Sequence, residues 1–304
     1  MQKEAIEKNG VVEINSDSAE TVFLEQELLH GSELDEAGVI NIFSQAIWGF
    51  FEDNRRSFAG RLGVDELDAV LADARILSVE SGKTRIYKPE ELLGLSGPVK
   101  IRAYATVVKR NALPDEARAV IEPGAAAARL VLKKGGKAVL LVDSGEESSS
   151  VYLASDASVK KIERWGWGRK NILEKMREKL LTDNEVNNEI YLRYIKGEAG
   201  ESVSQAVESI FLEAFKDFEK GLAAALYNNR NTLDSYPRLP VFVKSGFPLP
   251  EKIYKKRIAY DGRRFGLKPA GDGLTVADLF AEEEAGLSEE LSKTVLQRIK
   301  WLMV

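Results

Sequence analysis

The chain has 304 residues, 44% hydrophobic and 30% charged, with a formal net charge of -5, a globular balance long enough for two packed lobes. It has no cysteine and one histidine, His30, which excludes disulfides, thiol nucleophiles and thiolate metal sites and gives little support to histidine-based zinc sites or Ser-His-Asp triads. Lysine and arginine are spread along the sequence without a duplex-binding footprint, so nucleic acid is not an expected partner and no metal site is expected.

The opening MQKEAIEKNG is polar and carries no secretory apolar region. No apolar run reaches the ~20 residues of a spanning helix. The expectation is a cytoplasmic protein whose membrane contact, on the inner face of the cytoplasmic membrane, is peripheral. Val11–Leu24 reads as two short strands around the polar turn Asn15-Ser16-Asp17-Ser18. His30, before a Gly-Ser turn, reads as a surface or turn residue. Val39–Phe51 has apolar residues at helical spacing, and its Trp48, Phe50 and Phe51 suit core packing better than a binding cage. Val64–Val79 leads to a turn at Gly82 and then Thr84–Tyr87. After the loop Gly94–Pro98, the alternation of Val99–Val108 predicts a half-buried strand.

Asp115–Ile121 is a short helix candidate, and Gly124–Leu132 (GAAAARLVL) predicts a close-packing helix. Lys137–Val142 is a short apolar strand running into Asp143-Ser144-Gly145-Glu146-Glu147. Ser148–Leu153 and Val159–Trp165 are further strands before Gly166-Trp167-Gly168. Residues 170–230 are mainly helical. Within them Ser202–Tyr227 is a long amphipathic helix with Val203, Val207, Ile210, Phe211, Phe215 and Phe218 inward. Asn228–Pro237 reads as a polar loop, Leu239–Val243 as a strand ending at Ser245-Gly246, and Pro248–Lys256 as the start of a helix. After Gly262 the composition turns polar, with an acidic cluster at Asp278–Glu284. In the final segment Leu291, Val295, Ile299, Trp301 and Leu302 give an amphipathic pattern. It suits a helix in a membrane interface and equally one docked on its own domain or on a partner.

This order of elements resembles the actin-like ATPase superfamily, nearest its bacterial cell-division and type IV pilus branch (FtsA and PilM). Each lobe of that family opens with an apolar strand, an acidic residue, a small-residue hairpin and a second strand. The two hairpins clamp nucleotide phosphates, and a glycine-rich turn receives the adenosine. VEINSDSAETVFL resembles the first hairpin, with Glu13 at the usual Asp and Asn15-Ser16 at the usual Gly-Ser/Thr. LLVDSGEESSSVYL resembles the second, retaining Asp143 and Gly145, with Glu146 and Glu147 in place of glycines and Ser150 where Asp is common. LPVFVKSGFPLP resembles the adenosine-side turn, with Lys244-Ser245-Gly246 in place of glycines. IEPGAAAARLVL, WGWGRKNI with Gly168, and GLSGPVKIRAYATVV resemble three further family segments.

The resemblance implies an α/β, actin-like (ribonuclease H-like) two-lobed fold. Residues 11–64 and 112–136 would form the first lobe, 65–111 a small inserted α+β subdomain, and 137–268 the second lobe with a helical insertion at about 172–235. The C-terminal tail would be 269–304. Glu13, Asn15, Ser16, Asp143, Gly145, Gly168, Ser245 and Gly246 would be nucleotide-binding or vestigial positions, and Asp143 the one weak catalytic candidate, at the place that holds the metal-bound water in hydrolysing relatives. Glycines let backbone N–H groups approach phosphate closely, and Glu146 and Glu147 set negative charge there instead. Lys244 and Arg169 read either as new phosphate ligands or as solvated charges in an abandoned cleft. The expected cofactor is therefore none, or ATP with Mg²⁺ held weakly. The expected function is a non-catalytic scaffold in cell division or pilus assembly, which binds the cytoplasmic segment of a bitopic membrane protein or self-associates into filaments. The alternatives are an active ATP-dependent assembly ATPase and a small-molecule kinase on the same superfold.

Overall fold

In the computed structural model the described residues are 5–8, 11–14, 17–86, 88–113, 119–155, 158–236, 239–260, 263–271, 294–295, 297 and 299. The chain divides into two units, Met1–Ala126 with Leu274–Val304, and Ala127–Gly273.

In the first unit, β1 (Ala5–Lys8) and β2 (Val11–Ile14) pair antiparallel, and β2 pairs in parallel with β7 (Ala119–Ile121). The helix expected over Asp115–Ile121 is thus a strand at 119–121, where the β-branched Val120 and Ile121 fit a pleated sheet; residues 114–118 lie outside the described residues. The polar turn after β2 leads to β3 (Ala19–His30), yet β2 and β3 are not partners of one another. β3 joins a second sheet of order β3-β6-β4-β5, with β4 at Ala69–Ser81, β5 at Thr84–Ile86 and β6 at Gly97–Lys109. β3 pairs with β6 along its whole length, from Ala19 opposite Val108 to His30 opposite Gly97.

Helix α1 (Glu36–Leu62) packs Phe43, Ile47, Phe51 and Phe58 on that sheet. Asp35 caps its start by accepting from Gly38 N at 2.7 Å, and Gly63 ends it in the left-handed region, which glycine enters without a Cβ penalty. Val295 and Ile299, buried, belong to the same core. Leu291, Trp301 and Leu302 lie outside the described residues, as does the acidic cluster at Asp278–Glu284.

The second unit is built on the apolar run after Lys137. β8 (Ala138–Ser144) is buried along its whole length, as a central strand covered on both faces must be. Asp143 and Ser144 continue the strand, so the hairpin shrinks to Gly145–Ser148 before β9 (Ser149–Ser155). With β10 (Ser158–Trp165), β11 (Val241–Ser245), β12 (Arg257–Tyr260) and β13 (Arg263–Pro269) the sheet order is β10-β9-β8-β11-β13-β12. β8, β9 and β10 are antiparallel neighbours, while β11 runs parallel to both β8 and β13.

Four helices belong to this unit's helical region: α3 (Arg169–Leu180), α4 (Asn184–Lys196), α5 (Glu201–Asn228) and the short α6 (Arg230–Leu233). Val207, Ile210, Phe211, Phe215 and Phe218 of α5 pack with Val142, Val151 and Val243 of the sheet. Val203 continues that face by spacing but is 42% exposed, because it sits in the first turn of α5, before the buried stripe begins. The expected loop at Asn228–Pro237 holds α6, whose Leu233 is buried. Pro248–Lys256 forms only a short 3-10 turn at Glu251–Lys255 before the β12–β13 hairpin, and the sequence reading missed that hairpin. A last helix, α2 (Pro123–Gly135), precedes β8, and its Ala125, Ala126, Ala127 and Ala128 are fully buried.

Candidate nucleotide-side site

The ends of β8 and β11, the hairpin between β8 and β9, and the start of α3 meet within the second unit. Cross-strand register sets the first part. Asp143 stands opposite Ser150 on one side and Lys244 on the other, so the three side chains form one row across β9, β8 and β11. The next row, Ser149, Ser144 and Ser245, faces the other way. Lys244 Nζ lies 3.0 Å from Asp143 Oδ1, and the two side chains are only 18% and 10% exposed. At that depth the pair is mutually dependent, because losing either partner strands a charge in a poorly solvated place. Ser144 and Ser149 share a hydroxyl–hydroxyl bond of 2.8 Å, and Ser149 Oγ also donates to Trp167 O at 2.9 Å, tying the hairpin to the turn before α3.

The second part concerns N–H groups. A helix N-terminus offers unpaired donors and a positive dipole end to an anion. Here Arg169 N donates to Gly145 O (3.2 Å) and Lys170 N to Glu146 O (2.9 Å), so the hairpin's own carbonyls satisfy two of these donors at α3. Gly168 N donates to Asn171 Oδ1 at 2.8 Å. Gly145 N closes the hairpin onto Ser148 O at 2.9 Å. On the opposite turn, Gly246 N donates to Ser144 O (2.9 Å) and Phe247 N to Ser245 Oγ (3.3 Å). This closeness needs Gly168, since a Cβ there would lie 2.5 Å from both Gly145 O and Glu146 O. Its φ of -165° is ordinary extended backbone, so the requirement is space.

The acidic hairpin is neutralised locally. Glu146 pairs with Arg169 at 3.5 Å and Glu147 with Lys170 at 3.2 Å, and Arg169 also donates to Asn188 Oδ1 of α4. Arg169 and Lys244 are thus both ion-paired within the unit. Below this layer Trp167 is buried, its Nε1 donating to Ala214 O at 2.8 Å and its ring edge-on to Phe218 and Phe215. Tyr191 donates its hydroxyl to Pro248 O at 2.8 Å, and burial pushes that hydroxyl's pKa well above its ordinary range.

Of the positions named from sequence, Asp143, Gly145, Gly168, Ser245 and Gly246 come together here. Glu13 ends in the first unit's small sheet, and Asn15 and Ser16 lie outside the described residues. The contributions of Asn171, Asn188, Ser144 and Ser149 were missed. Asn171 carried a signal, as a polar side chain three residues after a cap position. Among the described residues no group of histidine, aspartate and glutamate could hold a metal ion.

The fold of the chain is mixed α/β, with several sheets flanked by helices. In the second unit three consecutive antiparallel strands lie beside two parallel ones. No family model matches the chain, and no curated protein matches it. Among solved structures it is similar to a PilM–PilN type IV pilus biogenesis complex, with 11% identity and TM-score 0.47 over 95% of this chain and 79% of that one. It is also similar to ethanolamine utilization protein EutJ from Carboxydothermus hydrogenoformans, with 14% identity and TM-score 0.37 over 59% of this chain and 55% of that one. A third is MreB 5 of Spiroplasma citri bound to AMPPNP, with 15% identity and TM-score 0.41 over 60% of this chain and 61% of that one. The match to EutJ thus spans little more than half of that protein's chain.

Proposed function

We propose that this chain is an actin-like scaffold that binds nucleotide weakly or not at all. It would act by assembling with the cytoplasmic segment of a bitopic membrane protein, or with itself, in cell division or pilus assembly. The observation that carries the proposal is the Lys244–Asp143 pair. The ammonium group lies 3.0 Å from one carboxylate oxygen and offsets its charge, which lessens the attraction Asp143 offers to Mg²⁺, a cation that takes oxygen ligands. The use of the α3 N–H groups by hairpin carbonyls acts in the same sense. Partner binding would use the region Asp65–Val108, on the sheet formed by β3, β6, β4 and β5.

Titration calorimetry with ATP and Mg²⁺ tests the nucleotide half, and no micromolar binding is expected. Micromolar binding that Asp143→Ala abolishes would establish the assembly-ATPase reading instead. Phosphoryl transfer to a panel of sugars and carboxylic acids would establish the kinase reading. Sedimentation with and without a candidate membrane-protein segment tests assembly.

A further inference from the structure

The six-stranded sheet has two edges of different character. At one edge β10 is irregular, with a register shift between Lys161 and Glu163. Glu163 there is engaged by Asn228 at 3.4 Å, and Lys161 lies over the Tyr152 ring. Bulges and occupied charges are the usual protections of a sheet margin. At the other edge β12 pairs with β13 in unbroken register from Arg257 opposite Gly266 to Tyr260 opposite Arg263, and no strand borders its outer side among the described residues.

Beside β12 runs a groove of ≈ 390 Å³ lined by Lys216, Glu219, Lys220 and Ala223 of α5 and by Arg257, Ile258 and Ala259 of β12. The α5 residues recur at helical spacing, so they form one stripe along the helix. The groove's charge is one-sided. Among the described lining residues the one carboxylate, Glu219, is paired with Lys256 at 3.3 Å. Lys216 and Arg257 have no ion-pair partner among the described residues, and Lys220 reaches only Asp217, at 3.7 Å, with its own side chain 79% exposed.

We propose that this groove and the outer edge of β12 form a docking surface for an acidic peptide in extended conformation. The peptide would add as a strand to β12 and place alternate carboxylates against Lys216 and Lys220, on the face where Ile258 is buried. Main-chain pairing would supply attachment and the basic stripe the selectivity. A strand edge asks for a peptide backbone, which neither a lipid surface nor a nucleic acid provides. The surface is independent of the nucleotide-side residues and of the partner region proposed above.

The test uses the full chain and a fluorescein-labelled Glu-Val-Glu-Val-Glu peptide, read by anisotropy. Saturable binding is expected, at least tenfold weaker for the double variant Lys216→Glu, Lys220→Glu and unchanged for Lys196→Glu on α4. It should be absent for the same peptide with N-methylated amides, and accompanied by slowed amide exchange at Arg257–Tyr260. All the substituted side chains are exposed, and circular dichroism checks that the variants fold. The proposal is overturned by absence of saturable binding up to millimolar peptide, by equal binding of the N-methylated peptide, or by indifference to the double variant. Anionic phosphatidylserine vesicles that bind the chain with the same variant sensitivity, while the peptide does not bind, would assign the surface to membrane and likewise overturn it.

Discussion

Gly168→Ala places a methyl group where two backbone oxygens already stand, each 2.5 Å from the new Cβ. Neither Gly145 O nor Glu146 O can yield by rotating a side chain, so the hairpin must withdraw from α3. Withdrawal stretches the bonds from Arg169 N (3.2 Å) and Lys170 N (2.9 Å). Two backbone hydrogen bonds at about 1 kcal/mol each, added to about 1–2 kcal/mol for forced repacking, give a loss of about 3–4 kcal/mol. For a domain of this size that corresponds to a fall in melting temperature of roughly 6–15 °C. Gly246→Ala is the matched control, because its new Cβ meets only Ser144 O at an ordinary 3.7 Å. That variant should lie within about 0.5 kcal/mol of the parent. Urea unfolding followed by far-ultraviolet circular dichroism measures both. A Gly168→Ala protein as stable as Gly246→Ala would refute the reading of the hairpin as the cap of α3.

Three further outcomes are expected. Lys244→Met should cost about 3–5 kcal/mol by stranding Asp143, and adding Asp143→Asn should recover most of it; additive losses in a double-mutant cycle would contradict the buried pair. Gly221→Ala pits a helix-propensity gain of about 1 kcal/mol against a Cβ that would sit 2.2 Å from Trp165 Cδ1. The clash should win, with lower stability and altered tryptophan emission, and a more stable protein would show that Trp165 moves freely. Hydrogen bonds from Lys100 and then Arg102 hold the Glu25 carboxylate below its ordinary pKa of 4.5. Its contribution is therefore complete above that value and disappears as pH falls through the lower native one. Because the side chain is 40% exposed, Glu25→Gln should cost less than about 1 kcal/mol at neutral pH. Parent and variant unfolding curves should converge in strong acid, and a gap that persists there would remove the ion pairs as its cause.

The legible parts of the fold were those whose burial is one-sided or complete over a long stretch. The β8 run, α1 and the Phe211–Phe215–Phe218 stripe of α5 carried their periodicity openly. β13 was missed although Phe265 and Leu267 alternate with exposed Arg264, Gly266 and Lys268, because four polar or glycine positions outweighed two apolar ones. β7 was read as helix because three residues are too few to show a period. The first hairpin was read as a local pair, but β3 takes its hydrogen bonds from β6 nearly eighty residues away in sequence, a choice set by tertiary register. The same limit hid the site's main feature. Asp143 and Lys244 were both singled out, but that they face one another is a fact of parallel register between β8 and β11.

The burial of Val295 and Ile299 in the core of α1 and its sheet fixes an order of events during synthesis. The first unit's early strands leave the ribosome long before its last core residues are made, whereas the second unit is contiguous from Ala127 to Gly273. At about 5–20 residues per second, the first unit waits on the order of ten seconds or more with part of its apolar surface uncovered. The later-made unit can thus reach its native packing first, and the nascent first unit is the stretch a chaperone would meet.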